Sequence, residues 1–258
     1  MDLGIKGRKA IVCASSRGLG KACAISLAQA GAEVTLNGRT EATLNQTAEE
    51  VAALGVTVNT VCADVGTTEG QQALLAACPN PDILVNNNSG PPLRDFRELD
   101  RDAMLQGVAQ NMVTPIELVQ RVIDGMCERE FGRIVNITSG SVKMPIAGLD
   151  LSSGARAGLH AFLAGVCRTV AQHNVTINHV CPGPFDTDRL RSNFEAGSKK
   201  TGKPVEEIAA ARAAGIPARR FGQPAEFGDA CAFLCSAQAG FITGQSLLLD
   251  GGSYNSSF

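Results

Sequence analysis

The chain, residues 1–258, is predicted to be a single doubly wound α/β domain built on a parallel sheet of about seven strands. Three observations predict it. Strand-like runs alternate along the chain with segments of helical length and periodicity, which is the pattern of a parallel sheet covered on both faces. A glycine-rich loop, Cys13-Ala14-Ser15-Ser16-Arg17-Gly18-Leu19-Gly20, follows the first run and opens a helix. The 258 residues, 44% hydrophobic and 19% charged, suffice for one large core rather than two small ones.

The strands are expected over 8–13, 33–37, 57–62, 82–86, 132–138, 175–181 and 245–249. Each is a short run dominated by Val, Ile, Leu and Thr, as in Ala10-Ile-Val-Cys13 and Ile83-Leu-Val85, and is bounded by turn residues or by a helical pattern. Most intervening segments have the length of a helix. The irregular region is 184–216, rich in charge, Gly and Ala. In this architecture it overhangs the carboxyl ends of the strands, where ligands bind, and is expected to be a substrate lid.

Composition excludes several classes. A formal net charge of −2 and a pI near 6.0 give no pull toward nucleic acid or an anionic membrane. No stretch approaches the roughly 20 apolar residues of a spanning helix. The first strand begins within ten residues of Met1, leaving no room for a signal peptide, so a cytoplasmic protein is expected. Nine cysteines occur without a Cys-x-x-Cys pair, mostly in apolar runs, and are expected as small core residues of a reducing compartment, Cys231 and Cys235 included. His160, His173 and His179 are expected in the core or at an interface.

Glycines in the first loop let the backbone approach a pyrophosphate, whose charge the helix N-terminus holds. An NAD-selecting fold places a carboxylate at the end of the second strand, on the ribose 2′-hydroxyl. That position is Gly38 here, with Arg39 beside it and Arg17 on the glycine loop, and two guanidiniums suit a 2′-phosphate. The cofactor expected is NADP(H).

The loop resembles the Thr-Gly-x-x-x-Gly-x-Gly loop of the short-chain dehydrogenase/reductase family, with Cys13 and Ala14 in place of Thr and the first Gly. Ala63-Asp64-Val65 resembles that family's adenine-contacting turn, and Asn86-Asn87-Asn88-Ser89-Gly90 its Asn-Asn-Ala-Gly. Asn111 matches the helical Asn that supports a proton-relay water, and Ser139 the substrate-orienting serine. Asn178 to Gly183, with Thr187, matches the stretch that holds the nicotinamide amide. Gly222 to Glu226, Ile242-Thr-Gly-Gln245 and Asp250-Gly-Gly252 match its C-terminal landmarks, so the resemblance spans the chain. It implies a Rossmann-type fold, with Ser15, Ser16, Arg17, Gly18, Leu19, Gly20, Arg39, Asp64, Val65, Asn87, Arg156, Pro182, Gly183 and Thr187 on the nucleotide. It also implies a homotetramer joined through the helix at 155–170.

One motif departs. In the β-ketoacyl reductases of this family a tyrosine lies thirteen residues beyond the serine and a lysine four further. Counted from Ser139, those positions are Ser152 and Arg156, followed by the usual Ala157-Gly158. A tyrosine of pKa about 10 can protonate an alkoxide, but a serine hydroxyl is a far weaker acid. Arg156 supplies charge to an oxyanion without being a ready proton shuttle. The catalytic set implied is Asn111, Ser139, Ser152 and Arg156.

Three readings stay open. The first is an NADP(H)-dependent reductase of a small carbonyl or acyl thioester, resembling the 3-oxoacyl-(acyl-carrier-protein) reductases. The second is an NADP(H)-binding regulatory or structural protein, and the third a lyase like the halohydrin dehalogenases. The expected pocket rim, Pro91, Pro92, Leu93, Met144, Pro145, Ile146, Leu149 and Leu190, is apolar. Glu130 and His173 stand at the positions that match the basic carrier-docking sites of those reductases, and a carboxylate at the first weakens the case for a carrier protein. No metal is expected.

Overall fold

Every one of the seven expected strands forms, each end within one residue of its expected place. They are β1 (Lys9–Val12), β2 (Glu33–Gly38), β3 (Val58–Cys62), β4 (Ile83–Asn86), β5 (Gly132–Ile137), β6 (Val175–Pro182) and β7 (Ser246–Leu249). They appear in a computed structural model that describes residues 1–256. All pair in parallel, in the order β3-β2-β1-β4-β5-β6-β7. The order reverses between β1 and β4. Connections leave β1 on one side toward β2 and β3 and return to β4 on the other, so a crevice opens at the carboxyl ends where they part.

Period-two alternation divides the core between the two faces of the sheet. From β1, Ala10 and Val12 pack with Leu27, Leu36, Phe227 and Cys231 on one face. Ile11 packs with Leu84, Val119, Leu159 and Ile177 on the other. The first face is covered by α1 (Gly18–Gln29), α2 (Glu41–Ala52) and α9 (Pro224–Leu234). The second is covered by α3 (Thr68–Ala77), α5 (Thr114–Glu128) and α6 (Asp150–Val170), with α4 (Arg101–Val108) packed outside against α6. The helix starts are written locally. Thr67 accepts from the Gly70 N–H, Asp100 from the Ala103 N–H, and Gln223 with Glu226 forms a capping box. All nine cysteines are free, and Cys23, Cys231 and Cys235 are wholly buried between α1 and α9, as core residues.

The region 184–216 is not irregular. It forms α7 (Asp188–Thr201) and α8 (Val205–Ala214). Phe194 is the only buried residue of α7, and α8 has none. Both are helices without an apolar stripe, so periodicity had nothing to register. No helix of the described residues is long and apolar enough to cross a membrane.

The closest helix pair, α1 on α9, depends on Gly228. A Cβ there would meet the Ala22 carbonyl oxygen and Ser26 Oγ, the latter at 2.6 Å. Gly228→Ala is expected to destabilise the fold by about 1–3 kcal/mol through overpacking. Gly197→Ala is a matched control, since its Cβ would stand 3.6 Å from Ile208 Cδ1, and a helical Gly-to-Ala change of this kind stabilises by about 0.5–1 kcal/mol. Urea unfolding of both variants measures the contrast, and equal midpoints would show that the α1–α9 contact is not tight.

Candidate active site

The glycine loop leaves β1 through Ala14, whose φ of 44° is left-handed for a residue with a Cβ. Two amides hold it there. The Ala14 N–H donates to Asn37 Oδ1 at 3.1 Å, and the Ala14 carbonyl accepts from Asn87 Nδ2 at 3.2 Å. Ser15 is fully buried; its hydroxyl donates to the Val12 carbonyl at 2.7 Å and accepts from the Asn37 N–H at 3.0 Å. Expected on the nucleotide, Ser15 instead turns inward and braces the loop against β2. Gly20 also lies behind the cleft wall, because a Cβ there would meet the Ala14 carbonyl and Asn87 Nδ2.

Ser16, Arg17, Gly18 and Leu19 do line the cleft, a cavity of about 930 Å³. The start of α1 has no side-chain cap and no acidic residue in its first turn. Its free N–H groups and positive dipole end are therefore suited to an anion. A Cβ on Gly18 would meet nothing within 4 Å, which is open space for such a group. At the end of β2, a Cβ on Gly38 would lie 2.9 Å from Ser16 Cβ, so a carboxylate side chain does not fit. Arg17 and Arg39 are exposed at this end, and Arg39 reaches Asp64 Oδ2 at 3.6 Å and Ser89 Oγ at 3.4 Å. Asp64, Val65 and Asn87 continue this wall. Pro182, Gly183 and Thr187 stand on the same cleft; Thr187 precedes α7 without capping it, its hydroxyl donating to the Phe185 carbonyl at 3.4 Å.

Ser139, Ser152 and Arg156 converge on that cleft. Ser152 and Arg156 are one turn apart on α6, 6% and 8% exposed. The Arg156 Nε–H donates to Ser152 Oγ at 3.2 Å and Nη1 donates to the Ile137 carbonyl at 2.8 Å. Nη2 has no hydrogen-bond partner among the described residues. Burial first, and Arg189 second, pull the Arg156 pKa down to about 10, so the guanidinium stays charged at neutral pH. Ser139 Oγ accepts from the Ser141 N–H at 3.1 Å, and Ser153 Oγ donates to Ser141 Oγ at 2.9 Å, which ties the β5 loop to the start of α6.

Asn111 lies on a π-helical turn, Ala109–Val113, between α4 and α5. That turn places Asn111 on a cavity of about 20 Å³ that Arg156 also lines, room for about one water. Its Nδ2 donates to the Gly107 carbonyl at 3.3 Å, while Oδ1, and Oδ1 of Asn86 on the same cavity, are buried without a partner among the described residues.

Of the expected rim, Pro92, Leu93, Leu149 and Leu190 line the cleft; Pro91, Met144, Pro145 and Ile146 do not. Arg189, which the sequence had not singled out, does line it. It sits at the first turn of α7, on the segment expected as a lid. The only tyrosine, Tyr254, has its ring 5.9 Å from Lys143 Nζ, and neither residue lines the cleft. His160 lies behind the cleft, bonded to Thr138 Oγ1 and Ser246 Oγ at 3.0 Å each, its ring stacked 3.8 Å from that of His179.

The comparisons with known proteins agree in extent. The family model described as enoyl-(acyl carrier protein) reductase matches residues 13–254. The NADPH-dependent reductase BacG of Bacillus subtilis is 31% identical over 96% of this chain and 98% of its own. The 3-oxoacyl-[acyl-carrier-protein] reductase FabG of Vibrio cholerae is also 31% identical, over 98% of this chain and 99% of its own. Among solved structures, L-sorbose reductase from Gluconobacter frateurii, complexed with NADPH and L-sorbose, has a TM-score of 0.94 at 27% identity, covering 99% of this chain and 100% of that one.

Burial pushes His160 down to about 4 and His179 down to about 3, the first also through the positive charges of Arg156 and Lys143. A base whose pKa is lowered on folding contributes stability above its unfolded value of about 6.5, and that stability is lost as the pH falls toward the folded value. Unfolding free energy is therefore expected to drop between pH 6.5 and 4.5, with uptake approaching about two protons. In His160→Gln/His179→Gln the slope should flatten. Urea titrations at each pH measure it, and an unchanged slope would assign the loss to other groups.

Proposed function

The chain belongs to the short-chain dehydrogenase/reductase superfamily, and from that premise we propose that it is an NADP(H)-dependent oxidoreductase that interconverts a small carbonyl and its secondary alcohol. One observation carries the reading: a single cleft is walled at one end by the uncapped start of α1 with Arg17 and Arg39, and at the other by Ser139, Ser152 and Arg156. A 31% identical relative described as an NADPH-dependent reductase supports it over nearly the full length. The nucleotide, when bound, supplies the hydride.

The protein's own groups do the rest. Backbone N–H groups of the glycine loop hold the pyrophosphate, Arg17 and Arg39 hold the 2′-phosphate, and Asp64, Val65 and Asn87 border the adenosine side. Pro182, Gly183 and Thr187 hold the nicotinamide end. Ser139 and Ser152 orient the substrate oxygen, and Arg156 stabilises the negative charge that develops on it. The proton then reaches that oxygen from water, through the Ser152 hydroxyl and the Asn111 cavity. A guanidinium fixed by Ile137 and Ser152 offers electrostatic stabilisation in place of a phenol's acidity. The runner-up, an NADP(H)-binding regulatory protein, rests on that same absence of a phenol.

Three outcomes test the reading. NADPH is expected to bind at least about tenfold more tightly than NADH, one charged bidentate pair being worth about 1.5–3 kcal/mol. Arg39→Ala should remove most of that preference; equal affinities by fluorescence titration at moderate salt would sink it. Ser152→Tyr combined with Arg156→Lys restores a phenol beside an ammonium and should raise reduction of neutral carbonyls by up to about 10²–10⁴-fold. If folding and NADPH affinity hold while activity falls from a substantial starting rate, Ser152 and Arg156 form a working site of their own. Finally, the outward face of α6 exposes Ala157, Ala161, Ala164 and Phe162, and the adjoining α4 and π turn expose Leu105 and Val113, which suits a homotetramer. Light scattering at micromolar concentration should return four times the 26.8 kDa chain mass, and a monomer mass would refute it.

A further inference from the structure

The cleft contains more positive charge than the proposed nucleotide sites require, and that charge converges on one point. A Cβ built on Gly90 would stand 3.5 Å from Arg156 Nη2 and 3.3 and 3.4 Å from Nη2 and Nη1 of Arg189. Two guanidiniums, one from buried α6 and one from the first turn of α7, thus meet over the loop that follows β4. Glycine keeps the meeting point open.

Neither cation is answered by a carboxylate of the described residues. Among the described residues, no carboxylate lies within ion-pair distance of Arg156 or Arg189, whereas Arg191 pairs with Asp186 at 3.0 Å and Arg39 with Asp64 at 3.6 Å. Asp188 stands on the same cleft without pairing with either. Like charges brought together in a partly desolvated site repel unless an anion lies between them. Consistent with this, Arg189 is the leading charge that depresses the Arg156 pKa beyond burial itself. The cleft that holds this point is lined by the apolar Pro92, Leu93, Leu149 and Leu190 as well as by Ser192 and Asn193 of α7. Aliphatic side chains beside a pair of cations suit a small carbon skeleton that ends in an anion.

We propose that Arg156 and Arg189 together recognise a carboxylate on the substrate, which makes the substrates short apolar oxo acids. The proposal rests on the oxidoreductase reading above and names its substrate class. In the reaction, hydride from NADPH adds to the carbonyl carbon, the C=O π pair passes to oxygen, and water supplies the proton. The products are a hydroxy acid and NADP⁺. Arg189 is the specificity-determining residue, because Arg156 also serves the oxyanion.

The test uses the full chain, the α-oxo acid that corresponds to leucine, and the methyl ester of that acid, which has the same carbonyl and no charge. Wild-type kcat/KM should favour the acid by at least about tenfold, and Arg189→Gln should lower it for the acid by about ten- to a hundredfold, the range of one charge-assisted pair. The ester rate and the NADPH dissociation constant should stay within about twofold, and the latter also reports folding. Equal use of acid and ester, or an equal loss on both, would overturn the proposal. A fall in NADPH affinity in Arg189→Gln would assign Arg189 to the nucleotide's phosphates and overturn it as well. Calorimetry with the non-reducible isocaproate covers a protein that turns nothing over. Binding weakened by Arg189→Gln upholds the carboxylate site, and absence of binding overturns it. If NADPH itself fails to bind while isocaproate binding still depends on Arg189, the reductase reading falls and the anion site stands.

Discussion

The architecture of the cleft hangs on a row of buried asparagines at the carboxyl ends of the strands. Where a parallel ladder stops, the next backbone groups lose their strand partners, and an unpaired buried amide costs as much as a lost hydrogen bond. Here Asn37, Asn86 and Asn136, each no more than 4% exposed, take over that role at the ends of β2, β4 and β5, while the fully buried Asn178, midway along β6, holds the segment that leads into β7. Asn37 binds the Ala14 N–H and the Val61 and Ala63 carbonyls, which fastens the glycine loop and the turn after β3 to one amide. Asn86 Nδ2 donates to Asn136 Oδ1 at 2.9 Å, Asn136 Nδ2 to the Asn178 carbonyl at 3.3 Å, and Asn178 Nδ2 to the Ile242 carbonyl at 2.8 Å. A polar chain thus runs from Asn86 through Asn136 and Asn178 to the segment before β7, while Asn37 separately fastens the glycine loop of the cleft. In a water-poor interior such a chain is rigid when satisfied and costly when broken.

That chain also explains how a guanidinium is tolerated inside. Arg156 enters from α6 at the end of β5, beside the Asn86–Asn136 pair, where the Ile137 carbonyl is left free by the end of the ladder and accepts from Nη1. A buried charge of this kind is stable only when its hydrogens are matched and its counter-charge is near. Nε and Nη1 are matched by Ser152 and Ile137, but no counter-charge stands near among the described residues. The protein therefore retains a cation at the site at some expense of stability, as residues maintained for a ligand generally do.

The sequence made the sheet legible because strands buried on both faces need uninterrupted Val, Ile and Leu, as in Ile83 to Val85, and those runs have few alternatives. The glycine loop was legible for a similar reason, since Gly18 at φ 59° and Gly20 against the Ala14 carbonyl leave no freedom for a larger residue. On the cleft wall, Arg17 and Arg39 followed from their charge beside the glycine loop and the second strand, and Ser139 and Arg156 from the family resemblance. Three features did not. Ser15 turns inward because of Asn37, a partner 22 positions away whose amide direction no local pattern encodes. The helices α7 and α8 lack an apolar stripe. Arg189 gains its meaning from Gly90 and Arg156, which only the order of strands brings beside it.

The altered step can be weighed within that frame. A phenol–ammonium pair stabilises an alkoxide by giving it a proton; a fixed guanidinium stabilises it by charge alone, and in a dry, preorganised site that contribution rivals general acid catalysis in size. Ser152, already accepting from Arg156 Nε, keeps its own hydrogen to donate toward the substrate oxygen. A phenol would have to displace that arrangement, since Ser152 is 6% exposed and bonded to Arg156 Nε. Exchanging acidity for charge is most favourable where the substrate already carries an anion that fills the space between the cations, because the guanidinium that binds the ground state then needs little reorganisation to meet the oxyanion. The same pairing limits the gain, for an interaction present equally before and during the reaction improves binding without raising the turnover rate. Only the share of the Arg156 field that reaches the carbonyl oxygen counts toward kcat, and the Nε and Nη1 bonds that fix its orientation decide how large that share is.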